Sequence, residues 1–200
     1  MKFISVDYQG DFAANGGRWY KERPCESFIT NELIPFLRSE KIRLSEIVSD
    51  YRLPRPSETL EYCLPGTVGF SSFLPDDIKT ENAWIKCMNS PVWIRENAGV
   101  PDGKPGQPYS APDKFSEWLF QEIGTPESAG DVVIFGLTLD CCVLCLAQEL
   151  YFRGYKAHIL YEAVDTYMGS KEQKDNMFDT PLPMWAKKIT WAEVKEKIGK

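Results

Sequence analysis

The chain has 200 residues, 43% of them hydrophobic and 26% charged, with a formal net charge of -6, which is an ordinary globular composition able to bury one full core. The acidic balance and the lack of any block of Lys or Arg exclude nucleic acid and anionic membrane surfaces as partners. The opening Met1-Lys2-Phe3-Ile4-Ser5-Val6-Asp7 holds too short an apolar run for a signal peptide or a membrane span, so a cytoplasmic protein is expected, and the six cysteines read as reduced thiols because adjacent Cys141 and Cys142 are poorly placed to staple a fold.

In chain order, Lys2 to Asp7 reads as a strand built on Phe3, Ile4 and Val6 that ends in Tyr8-Gln9-Gly10-Asp11-Phe12. Asp7 then stands at a strand's carboxyl end, where open α/β sheets hold ligands; the plainer account is that Asp7 and Asp11 cap a turn. Asn15-Gly16-Gly17-Arg18 is a turn, and a helix follows to Ser39 with Leu33, Ile34 and Leu37 on its buried face, its start left open by Pro35. A second strand is expected over 42–48, although Ser45 and Glu46 weaken its apolar pattern, and it leads into the proline-broken segment 49–56. Residues 83–86 read as the end of a third strand. The Pro/Gly-rich stretch 91–113 is a long loop, either a lid, an oligomer arm or a plain surface excursion.

A helix over 114–123 buries Phe115, Trp118 and Leu119. Val132 to Phe135 is a continuous apolar run of the kind a buried parallel strand shows, ended by Gly136. The next helix takes Asp140 as N-cap, carries Val143, Leu146, Ala147 and Leu150 on one side, and stops at Gly154. Cys141 and Cys142 therefore fall in its first turn, where free backbone N–H groups favour a thiolate and can hold an oxyanion. Two buried small hydrophobes are the alternative. A fifth strand over 157–160, a charged helix from Ser170, a sixth strand over 185–189 and the capping box Thr190-Trp191-Ala192-Glu193 complete the chain. Strands alternating with helices predict a single α/β domain over 1–200: a doubly wound, mostly parallel six-stranded sheet with helices on both faces, interrupted by the insertion at 91–113.

Three segments carry a family resemblance. Val6-Asp7-Tyr8-Gln9-Gly10-Asp11-Phe12 is similar to a Val-Asp-x-Gln-x-Asp-Phe signature, Cys63-Leu64-Pro65-Gly66-Thr67-Val68-Gly69 to a Cys-x-x-Gly-Thr-x-Gly motif, and residues 136–143 to a Gly-x-x-Thr-Asp-x-Cys-Val segment, with Leu139 replacing the threonine before the aspartate. In this order they resemble the isochorismatase-like cysteine hydrolases, the group of nicotinamidases and N-carbamoylsarcosine amidohydrolases. The resemblance implies a Rossmann-like three-layer fold, Cys142 as nucleophile, Asp7 as general acid/base and Lys86 as the catalytic lysine, with Lys104 its rival. It also implies an oxyanion hole from the backbone N–H groups of Thr138 and Cys142, and a cis Leu137–Thr138 peptide. A small amide or carbamoyl substrate and a homo-oligomer, dimer or tetramer, are expected.

Metal-containing relatives carry an Asp-x-His pair and a further histidine before the Gly-Thr motif. Here Asp50 aligns with the aspartate, but Arg52 and Tyr62 stand at the histidine positions and His158 is the only histidine in the chain. No cofactor and no His-rich metal site are expected; a carboxylate-only site from Asp50, Glu58 and Glu61 is the minor alternative. Phe12, Tyr62 and Trp93 are candidates to line a substrate pocket, and Arg18, Arg52 or Arg95 to hold a substrate carboxylate. A catalytically silent or redox-sensing binding domain is the competing reading. The ether-cleaving isochorismatases lack the nucleophilic cysteine, so Cys142 speaks against that activity.

Overall fold

The computed structural model describes residues 1–199. In it the chain runs β1 (Lys2–Val6), α1 (Gly10–Ala13), α2 (Pro24–Phe28), a π-helical turn (Ile29–Leu33), α3 (Ile34–Ser39), β2 (Ser45–Ser49) and β3 (Trp84–Lys86). It continues through β4 (Trp93–Ile94), β5 (Tyr109–Ser110), α4 (Pro112–Ile123), α5 (Pro126–Ala129), β6 (Asp131–Leu137), a second π-helical turn (Leu139–Val143) and α6 (Leu144–Phe152). β7 (Lys156–Asp165), α7 (Lys171–Asp179), β8 (Lys187–Ile189) and α8 (Trp191–Ile198) follow.

β1, β2 and β6 are buried at every position after their first residue. Side chains along a strand alternate between the two faces, so strands buried throughout require cover on both. They occupy the middle of a six-stranded sheet of order β3-β2-β1-β6-β7-β8, and every pairing in it is parallel. The chain winds outward from β1 to β3, then restarts at β6 and winds the other way. The crevice at the carboxyl ends of β1 and β6, where the direction reverses, is the position at which such sheets bind ligands.

Several elements differ from the expectation. β2 begins at Ser45 rather than at 42 and runs to Ser49, and the polar residues expected to weaken it are buried within it: Glu46 because Ser72 Oγ donates to it and Lys79 pairs with it at 3.5 Å. The helix ending at Ser39 is continuous from Pro24, and its π-helical turn lies just ahead of Pro35. Proline has no N–H and its ring crowds the carbonyl four residues back, so a wider turn there relieves a clash that would otherwise kink the helix. β7 absorbs 162–165 into one ten-residue strand. Asp140 does not cap the cysteine helix; its carboxylate accepts the Tyr167 N–H at 2.9 Å, and Thr138 takes the capping position. The Thr190–Glu193 capping box is present.

Gly136 shows why the carboxyl end of β6 needs glycine. Its φ is 118°, and a Cβ there would stand 2.1 Å from the Val6 carbonyl oxygen. The stretch 91–113 forms a small antiparallel ribbon in which Trp93 faces Ser110 and Ile94 faces Tyr109.

Candidate active site

Asp7 follows β1 with φ 50° and its backbone N–H bonded to Ile47 O at 2.9 Å, which turns its carboxylate into the crevice. Lys86 ends β3, Ser49 ends β2, and Cys142 sits in the π-helical turn after β6. Parallel pairing puts these ends side by side: Val6 is in register with Ile47 and Gly136, and Ser49 with Lys86. Lys86 Nζ donates to Asp7 Oδ2 at 2.8 Å, Ser49 Oγ at 2.6 Å and Tyr51 Oη at 2.8 Å, and lies 3.4 Å from Cys142 Sγ. Ser49 Oγ in turn donates to Asp7 Oδ1 at 2.8 Å. Asp7, Lys86 and Cys142 are all buried, and the Leu137–Thr138 peptide is cis. Lys104, the rival lysine, is exposed in the loop following β4.

The loop carrying the Gly-Thr motif fastens this crevice from the side. Asp11 accepts the Cys63 N–H at 2.5 Å and the Arg18 N–H at 3.1 Å, and the Asp11 N–H reaches Gly69 O at 3.0 Å. Gln9 bonds both ways with the Ser49 backbone, at 2.7 and 3.0 Å, and donates to Phe70 O at 2.8 Å. The aspartate and glutamine of the first signature thus hold the loops around the site, and Asp7 alone of the three enters the charged cluster.

Burial and the negative charge on Asp7 push the Cys142 thiol well above its ordinary range, with Lys86 and Tyr51 pulling it back. For Lys86, burial alone would lower the ammonium's pKa, but Asp7 and Cys142 outweigh it and hold it above the usual lysine value. The surroundings therefore favour the thiol form of Cys142 and the ammonium form of Lys86.

Above the sulfur opens a cavity of about 270 Å³ with Cys142, Cys141 and Thr138 in its floor. Phe12, Trp19, Tyr51, Tyr62 and Tyr167 form its walls, with Asn89 and Glu58 supplying polar edges. Trp19 stacks edge-on against both Tyr62 and Tyr167. Arg23, buried behind them, donates to the carbonyls of Phe12, Trp19, Thr166 and Tyr167 and so joins two segments of the wall.

Phe12 and Tyr62 line this cavity as the sequence predicts; Trp93 and Arg52 do not. Arg52 makes a bidentate pair with Asp50 at 2.6 and 2.9 Å and spends its remaining donors on the carbonyls of Asn97, Val100 and Gly103, at 2.6 to 3.1 Å. It is a tether for the 97–103 loop, with no N–H left for a substrate carboxylate. Arg95 donates to Pro54 O at 3.1 Å, and the Arg18 backbone rather than its guanidinium meets Asp11. Tyr51, Ser49 and Asn89 escaped the sequence reading; the one available signal was a serine at the buried end of β2.

No family model and no curated protein matches the sequence. Solved structures do. A pyrazinamidase of Pyrococcus horikoshii, solved in complex with zinc, superposes with a TM-score of 0.63 at 17% identity over 95% of this chain and 98% of its own. The chain has the isochorismatase-like hydrolase fold. An isochorismatase family protein from Desulfovibrio vulgaris reaches TM-score 0.67 at 12% identity, covering 100% of this chain and 98% of its own. N-carbamoylsarcosine amidase from Thermoplasma acidophilum gives 0.60 at 16% identity, over 95% and 96%.

On this isochorismatase-like fold the residues do not fit a zinc ion beside the cysteine. Both Asp50 oxygens are engaged by Arg52, whose guanidinium brings fixed positive charge against them, and Asp50 Oδ2 also accepts the Gly99 N–H at 3.0 Å. Glu61 accepts the Leu53 N–H at 2.7 Å, and Glu58 stands on the cavity wall. Among the described residues no three His, Cys, Asp or Glu side chains gather as a ligand set. His158 pairs with Asp131 at 3.3 Å, in register with Val133 and hence toward the amino-terminal end of the sheet, away from Cys142.

Proposed function

We propose that the chain is a cytoplasmic cysteine amidohydrolase that cleaves the C–N bond of a small amide or carbamoyl substrate through a thioester on Cys142. The observation that carries this reading is the contact of Lys86 Nζ with both Asp7 and Cys142 Sγ beneath an aromatic cavity, at the sheet's reversal point. In the first half-reaction the Cys142 proton passes to Asp7 as the sulfur attacks the carbonyl carbon. The oxyanion is held by the backbone N–H groups of Thr138 and Cys142, and Asp7 returns the proton to the departing nitrogen. In the second half-reaction water gives a proton to Asp7 and its oxygen to the acyl carbon, and the thiol is restored. Lys86 pairs with the carboxylate at 2.8 Å and stabilises the thiolate as it forms.

The cavity also bears on the substrate. With Arg52 consumed by Asp50 and five aromatic rings on the walls, the acyl or amine portion is apolar or aromatic in character, in place of the anionic tail that Arg52 at a ligand position first implied. A homo-oligomer belongs to the same proposal; Phe152 and Met184 are exposed, and Tyr151, Phe152 and Trp185 contact one another edge-on.

Ammonia release from a panel of amides, ureas and carbamoyl acids tests the reading, with intact mass recorded for a trapped acyl adduct. Cys142→Ala should abolish turnover and the adduct, while Cys141→Ala keeps most of the rate. Equal loss in both variants, or oxidation of the cysteine pair with no turnover of any amide, would favour the redox-sensing alternative.

A further inference from the structure

Tyr51 lies two residues past β2, fully enclosed, with its ring edge-on to Tyr62 at 4.8 Å and the Arg55 guanidinium 4.5 Å from its centroid. Its oxygen is therefore fixed in place, and what remains adjustable is the direction of its hydrogen. Counting donors decides where that hydrogen can go. The Lys86 ammonium has three N–H groups and no lone pair. Its three short contacts are Asp7 Oδ2, Ser49 Oγ and Tyr51 Oη. Both hydroxyls thus accept from Lys86 and must point their own hydrogens elsewhere. Ser49 gives its hydrogen to Asp7 Oδ1. Tyr51 has two acceptors in reach, Cys142 Sγ at 3.3 Å and Asn89 Oδ1 at 3.4 Å.

We propose that Tyr51 is a further catalytic residue, whose O–H turns from Asn89 Oδ1 to Cys142 Sγ when the sulfur gives up its proton. The proposal rests on Cys142 being the nucleophile. In the resting thiol the sulfur is a weak acceptor and carries its own hydrogen, so the phenol bonds the Asn89 carboxamide. Once that proton has moved to Asp7, the thiolate is an anion in a dry pocket, and a hydrogen bond to a charged acceptor is about twice as strong as a neutral one. The phenol keeps its hydrogen throughout, so only the proton transfer to Asp7 and the new S–C bond change the bonding. Burial, with Cys142 and Asp7 beside it, holds the Tyr51 phenol far above its ordinary range, which makes it a donor and not a base.

The other titratable and charged groups around the sulfur and the Tyr51 ring are Asp7, Lys86, Tyr62, Cys63, Arg55 against the two tyrosine rings, Glu58 on the cavity wall and, on the sulfur's own turn, Cys141 and Asp140, whose carboxylate is turned to the Tyr167 N–H. Burial pushes Tyr62 to about 12 and raises Cys63 and Cys141, so all three are neutral at pH 7. Lys86 is already spent on three oxygens. This leaves Tyr51 as the donor that can follow the sulfur's charge.

The test is alkylation of Cys142 by iodoacetamide across pH, read at that residue by peptide fragmentation so that Cys141 is scored separately. Tyr51→Phe keeps the ring packing and should slow alkylation at fixed pH about tenfold or more, moving the midpoint to higher pH. Asn89→Leu removes the competing acceptor and should shift the midpoint the other way, whereas a purely structural role would move both variants alike. An unmoved midpoint in Tyr51→Phe, or shifts of the same sign in both, overturns the proposal. If Tyr51→Phe does not fold, Asn89→Leu decides alone, and an unmoved or raised midpoint overturns it. Because the readout needs no substrate, the two readings fail apart: finding no amide that is turned over would sink the hydrolase reading and with it the word catalytic, whereas an unmoved midpoint in Tyr51→Phe would sink the Tyr51–thiolate bond even in an active hydrolase.

Discussion

Asp7 holds a left-handed backbone at φ 50°, a conformation that non-glycine residues seldom take and that is found more often at functional positions. Its carboxylate is fixed by two donors, Lys86 and Ser49, in the cluster that also holds the Cys142 sulfur. Lys86→Met would remove the cation that offsets the Cys142 thiolate, so alkylation of Cys142 at neutral pH should slow, while Lys104→Met, at an exposed loop position, should leave it unchanged. The reverse pattern would hand the role to Lys104. In the parent protein the alkylation rate should keep rising well into the alkaline range, because burial and Asp7 hold the thiol up; a plateau below neutrality would show that the thiolate is the resting form. Asp7 and Cys142 were legible in the sequence because each belongs to a short local pattern at a strand end. Tyr51 was not: it lies in a proline-broken stretch, and its meaning comes from contacts to residues 35 and 91 positions away.

At the scale of elements, the site depends on where β2, β6 and the insertion stop. Gly136→Ala would drive a methyl group into the Val6 carbonyl at the join of β1 and β6, and a φ of 118° leaves no relaxed alternative. Loss of soluble folded protein is expected, whereas Gly130→Ala, which has positive φ but open space, should fold with a modest penalty of about 1 kcal/mol. Urea unfolding separates the two. Arg52→Met would leave Asp50 buried without its partner and release the carbonyls of Asn97, Val100 and Gly103. Stripping one member of a buried pair costs roughly 3–5 kcal/mol, part of which here falls on the loop. Limited proteolysis should then cut near 97–103 before the rest of the chain opens; unchanged cleavage would show that the ribbon holds itself. Sequence reasoning gave Arg52 to a ligand because Asp50 two residues earlier pairs with it only in the irregular path the chain takes after β2. The π-helical turn before Pro35 was hidden for a related reason, since a local pattern marks the proline but not how its clash is absorbed.

For the molecule as a whole, the doubly wound parallel sheet was readable because alternation of strands and helices leaves few topologies; the strand order itself came from the structure, and it puts Asp7 and Cys142 at the ends of adjacent central strands. The cavity walls were less so, because Trp19 and Tyr167 come from opposite ends of the chain and meet through Arg23. Assays before and after chelation should give the same turnover, and metal analysis should find no stoichiometric ion; zinc whose removal abolishes activity would overturn the account of Asp50 and Arg52. That pair also constrains what a metal site would demand of this chain. Exchanging Arg52 for histidine would not create a ligand set, since it would strand a buried carboxylate and release the 97–103 loop in one step. A metal-binding variant of this chain would therefore have to re-anchor residues 97–103 before Arg52 could be exchanged.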